Sequence, residues 1–132
     1  MHAGCSRQNS AAILVADDAP AICDLLRQIL EREGYRVLSA TNTRSAFELA
    51  QAFHYAIHLL IAELDIPSSS GVKLARQLIV DRPEMRVLLM SGRPVPAALE
   101  FPIIPKPFDI RAMLEKIKDT LHPGTESPEA DK

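Results

Sequence analysis

The chain has no tryptophan, two cysteines and only 5% aromatic residues among its 132. Two cysteines, Cys5 and Cys23, do not suggest a disulfide framework. Cys23 falls on the apolar face of an expected helix, where a reduced thiol packs as a small apolar group. Neither sign of charge dominates: 15 Lys and Arg stand against 17 Asp and Glu, a net −2 at pH 7. That balance lacks the basic footprint of a nucleic-acid binder. Long apolar runs are missing too. The longest uncharged stretch, residues 49–62, contains Gln51, His54 and His58 and is too short and too polar to cross a bilayer. The first ten residues, MHAGCSRQNS, lack the apolar run of a signal peptide. What is there is 47% apolar and 24% charged, close to the globular average. These counts predict one cytoplasmic domain with a real core over 11–122. The polar tails, 1–10 and 123–132, are expected to be disordered.

Apolar runs alternate with amphipathic segments. Ala12-Ile-Leu-Val-Ala16 reads as a buried strand and ends at Asp17-Asp18. Ile22, Leu25, Leu26, Ile29 and Leu30 recur at helical spacing, and Gly34 stops that helix. Arg36–Ala40 is the second strand. Thr43 is placed to cap a helix whose inner face is Ala46, Leu49, Ala50 and Phe53. His58–Ala62 is the third strand and ends at Glu63. After the loop 65–71, Leu74, Ala75, Leu78 and Ile79 mark a third helix. Arg86–Met90 is a fourth strand, ending at Ser91-Gly92. A proline-broken segment, Arg93 to Glu100, leads to a short strand, Phe101–Pro105, and to Lys106-Pro107. Asp109 caps the last helix, with Ile110, Met113, Leu114, Ile117 and Leu121 on one face.

Alternating strands and helices predict a parallel sheet covered on both faces, with right-handed crossovers. Working groups of such sheets sit at the carboxyl ends of the strands. Asp17, Asp18, Glu63, Ser91 and Lys106 therefore converge on one rim. Three crowded carboxylates call for a cation. Mg²⁺, which binds through one or two carboxylates plus waters, suits the site, and Lys106 is the alternative countercharge. The acidic pair also has a plainer reading, in which Asp18 caps the first helix and Asp17 stays in water. His54 and His58 straddle a helix end and a strand start, and read as surface or packing residues rather than a metal pair.

This pattern resembles the receiver domains of two-component response regulators. The matching residues are Asp17-Asp18, Pro67, Gly71, Ser91-Gly92 and Lys106-Pro107-Phe108, each after the appropriate strand. The resemblance implies a flavodoxin-like (βα)5 fold of the α/β class, five parallel strands in the order 2-1-3-4-5. It implies a cis Lys106–Pro107 bond, a switch hydroxyl at Ser91, and a phosphate site lined by Lys106 and the acidic pair. It also implies a histidine kinase or a downstream signalling protein as partner, with no nucleic acid and no membrane. In the family an aspartate four residues before the loop proline accepts the phosphoryl group. Four residues before Pro67 stands Glu63. Asp65 takes the position whose backbone carbonyl serves the metal, so the implied metal set is Asp18, Glu63 and Asp65.

One extra methylene moves the carboxylate by about 1 Å, a displacement that can cost in-line transfer on the order of a hundredfold. Glu63 is therefore expected to accept phosphoryl groups very weakly or not at all. It should instead reach Lys106 and take a hydrogen bond from Ser91, imitating a phosphorylated state. Its −1 charge falls short of the roughly −1.5 to −2 of a phosphate. Glu63 then competes with Mg²⁺ for Lys106 and for space, so whether the site holds Mg²⁺, weakly or not at all, stays open. Two further departures concern output. Ile103 stands where the family often carries a switch aromatic. The interval from Ser91 to Lys106 is short and contains Pro94 and Pro96, so the helix between the fourth and fifth strands should be short, irregular or missing. The expected function is a stand-alone, non-enzymatic pseudo-receiver that works through protein–protein contacts. Its oligomeric state stays open, a homodimer included. A conventional Mg²⁺-dependent phospho-acceptor using Glu63 or Asp65 is the alternative. A phosphohydrolase of the haloacid dehalogenase type, loosely suggested by Glu63-Leu-Asp65, is the remote one.

Overall fold

The computed structural model describes residues 11–66, 70–95 and 99–122. Both expected tails, Cys5, Pro67 and Pro96 lie outside the described residues. Five strands, β1 (Ala12–Ala16), β2 (Arg36–Ala40), β3 (Leu59–Glu63), β4 (Arg86–Ser91) and β5 (Ile103–Pro105), form one parallel sheet in the order β2-β1-β3-β4-β5. Four helices cover it: α1 (Pro20–Arg32), α2 (Thr43–Ala52), α3 (Gly71–Asp81) and α4 (Ile110–Leu121). This is the flavodoxin-like order expected from the sequence. Among the described residues, none between β4 and β5 is helical.

Successive strand residues face opposite sides of the sheet, and both sides are buried. Leu14, Leu60, Val87 and Leu89 pack with α2 and α3. Ile13, Val15, Leu59, Ile61, Leu88, Met90 and Ile104 pack with α1 and α4. Continuing that alternation puts Asp17, Glu63 and Lys106 in phase with the α1/α4 side. Ser91 follows Val87 and Leu89 on the other.

Local details differ from the sequence reading where backbone chemistry outweighs pattern. Asn42, not Thr43, caps α2: its side chain accepts the Ser45 N–H at 2.8 Å, and Thr43 is the first helical residue. The Asp18 cap is also not formed. The residue before α1 is Ala19, without a side-chain cap, and Pro20 opens the helix, where a missing N–H costs nothing. Leu25 and Ile110 sit at the edges of their apolar stripes and are 37% and 44% exposed. β3 starts one residue late, at Leu59. The His58 imidazole turns to accept the Ala12 N–H at 3.0 Å. β5 is cut to three residues, with Phe101 packed on the core instead of in the strand. Gly34 ends α1 as expected, at φ 95°, a left-handed conformation that glycine adopts without strain.

Gly71 is set by close approach. A Cβ there would lie 2.5 Å from the Glu63 carbonyl oxygen and 3.2 Å from Leu89 Cδ2. Backbone cannot yield as a flexible side chain does, so Gly71→Ala is expected to cost about 2–3 kcal/mol. Urea unfolding of the two proteins measures this. A loss under about 0.5 kcal/mol would mean that α3 slides freely along β3.

Candidate functional site: an ion-paired cup at the strand ends

Two loops and one strand end build the cup. β1 delivers Asp17, which is fully buried. Its Oδ1 accepts the Ala19 N–H at 2.8 Å, a turn that fixes the carboxylate, and its Oδ2 accepts Lys106 Nζ at 2.7 Å. β3 delivers Glu63 as its last residue, 7% exposed. Its Oε1 lies 2.5 Å from the same Lys106 Nζ, and its Oε2 accepts the Asp65 N–H at 3.3 Å. Lys106 follows β5, its backbone N–H bonded to Ser91 O, and its peptide bond to Pro107 is cis. One ammonium thus bridges two buried carboxylates that start 46 residues apart in the chain. Burial opposes the Lys106 charge, but the Asp17 and Glu63 carboxylates outweigh it and hold the ammonium above the ordinary lysine range.

The remaining expected site residues fall outside this trio. Asp18 is exposed and has no ion pair with Lys106. Ser91 is buried, but its hydroxyl donates to Arg93 O at 2.9 Å and accepts Arg93 N–H at 3.1 Å. It makes no bond to Glu63, because strand alternation puts it on the opposite side. Ile103 is half-buried and packs with the α2/α3 side of the core. Asp65 is exposed, and both its oxygens go to Arg93: Oδ2 to Nε at 2.6 Å and Oδ1 to Nη2 at 2.9 Å. That fork holds the Asp65 carboxyl below the usual aspartate range and the guanidinium above its own. Sequence reasoning missed Arg93. Its only signal was a basic residue two places after Ser91.

Mg²⁺ takes oxygen ligands in octahedral array. Asp17 and Glu63 are engaged by Lys106, Asp65 by Arg93, and Asp18 stands apart. Among the described residues, no three acids, histidines or cysteines group closely enough to hold a metal ion. The side chains of Asp18, Glu63 and Asp65 do not form such a group in this arrangement.

Next to the cup, the Cys23 Sγ donates to Asp17 O at 3.4 Å and to Ala40 O at 3.6 Å. Burial pushes its thiol up, which keeps it protonated and unreactive. Beyond β4, the connection to β5 carries Glu100, which pairs with Arg76 of α3. Val95, Leu99 and Phe101 of the same connection pack against the core. No helix among the described residues is long and apolar enough to cross a membrane.

Fold and strand-end chemistry together define a signalling receiver. The family model described as "Response regulator receiver domain" matches residues 13–118, and the chain belongs to that family. It is 30% identical over 124 residues to the DNA-binding transcriptional regulator NtrC of Azospirillum brasilense, covering 89% of this chain and 25% of that protein. It is 25% identical over 119 residues to the sensor kinase CckA of Brucella abortus, covering 85% of this chain and 13% of that one. The chain therefore spans a quarter or less of these two relatives. Among solved structures, it is similar to a response regulator of Burkholderia pseudomallei that holds a phosphorylated aspartic acid, a calcium ion and citrate. That likeness has a TM-score of 0.72 and 25% identity, over 92% of this chain and 72% of that one. The chain is thus a receiver domain of two-component signalling, a class of signalling module rather than of classical enzyme.

Proposed function

We propose that this receiver works without phosphorylation, as a binding module whose phosphate site is already filled from within. One observation carries the reading: Lys106 Nζ lies within hydrogen-bond distance of both Asp17 Oδ2 and Glu63 Oε1. Glu63 takes the acceptor position, and its extra methylene carries the carboxylate onto the lysine that would otherwise meet an arriving phosphoryl group. A carboxylate spent in a buried ion pair is a poor nucleophile, and its reach is wrong for in-line attack. The Glu63 carboxylate supplies −1 where a phosphoryl group supplies about −1.5 to −2. The chain then presents one fixed surface to a histidine kinase or a downstream signalling protein.

Acetyl phosphate with Mg²⁺, followed by intact-mass measurement, tests this. The expected result is an unchanged mass. A stable gain of about 80 Da, one phosphoryl group, would establish the conventional phospho-accepting receiver instead.

A further inference from the structure

We propose that Arg93 is a resident cation of the cup, a guanidinium fork across its mouth that excludes divalent ions from the acidic cluster. This deepens the reading above and can fail separately from it. The first support is a count of lone partners. Asp17, Glu63 and Asp65 present six carboxylate oxygens, and each already faces a donor. Asp17 has Ala19 N–H and Lys106, Glu63 has Lys106 and Asp65 N–H, and Asp65 has Arg93 twice. A hard cation needs such oxygens for itself, so each carboxylate ligand it gained from these three residues would displace a donor.

The second support is how Arg93 is aimed. It lies two residues beyond β4, and Asp65 lies two residues beyond the neighbouring β3. Ser91 Oγ grips both the N–H and the carbonyl of Arg93. The backbone is thereby fixed where the side chain can meet both Asp65 oxygens in a planar fork, a geometry lysine cannot reproduce. The negative charge of Glu63 also bears on the guanidinium. In this arrangement the buried serine serves as a positioning residue for Arg93. Lys106 bridges the two carboxylates at the floor of the cup, and Arg93 closes its rim.

The fork is half-exposed, and exposed pairs add little to global stability. Arg93→Ala should therefore fold, and thermal melting checks that it does. Mn²⁺ is the probe, because free Mn²⁺ is counted directly by electron paramagnetic resonance. The full chain and Arg93→Ala are titrated side by side. Arg93→Ala is expected to bind Mn²⁺ about tenfold more tightly, the effect of removing one charge at close range. Arg93→Gln, which keeps side-chain bulk, should move the same way, and Ser91→Ala should follow by a smaller factor. Arg76→Ala removes another exposed guanidinium, one paired with Glu100, and should change nothing. Equal affinities in the parent chain and Arg93→Ala, with no binding by either included, overturn the proposal. So does an equal gain from Arg76→Ala. Neither result depends on whether the parent chain takes up a phosphoryl group.

Discussion

Glu63→Asp should gain a phosphoryl group from acetyl phosphate and Mg²⁺ on the order of a hundredfold faster than the parent chain. Shortening the side chain by one methylene withdraws its carboxylate from Lys106 Nζ, now 2.5 Å away. The ammonium is then released to meet an incoming phosphoryl oxygen, the kind of contact that supplies most of the rate in phosphoryl transfer. The Asp17 carboxylate keeps its bonds to the Ala19 N–H and to Lys106. Intact mass against time reads the outcome. If Glu63→Asp stays unmodified while its circular dichroism matches the parent, side-chain length is not what separates this chain from an acceptor.

Lys106→Met is the second large effect, and it acts on stability. Removing one partner of a buried pair leaves the other charge uncompensated, at a cost of about 3–5 kcal/mol. Here one ammonium serves two carboxylates, and one of them is fully buried. Its own side chain is 22% exposed, which argues for the lower end, about 3 kcal/mol. For a domain of this size that is a fall in Tm on the order of 10 °C or more. Asp17→Asn in the same chain should restore part of the loss, because the two changes act on one network. If Lys106→Met melts with the parent, water reaches the cup and the pair carries no weight.

Much of the fold could be read from the chain because its strands are short apolar runs and its turns are marked. Gly34 stops α1, and Asp109 caps α4 through its bond to the Ala112 N–H. Residue chemistry set Asp17 and Asp18 together on the rim, and strand parity separates them. Ile13, Val15 and Asp17 share a phase, so Asp17 points inward while Asp18 meets water. The same parity puts Ser91 on the far side from Glu63, although residue chemistry alone suggested a bond between them. Arg93 was not legible. It sits in a proline-broken segment without periodicity, and its partner Asp65 is 28 residues away. Nothing local signals a contact that exists only once β3 and β4 lie side by side. The Asn42 cap was hidden for a smaller reason: Asn42 and Thr43 are both good caps, and one residue of offset decides between them.

The sheet ends on β5, and that rim has a consequence for life in a crowded solution. Lys106 donates its N–H toward Ser91, so by alternation Pro105 faces outward, and proline has no N–H to offer. The free rim is three residues long with Pro102 just before it, which leaves a foreign strand almost nothing to zip onto. Fibril growth by strand addition is blunted at that margin by covalent chemistry.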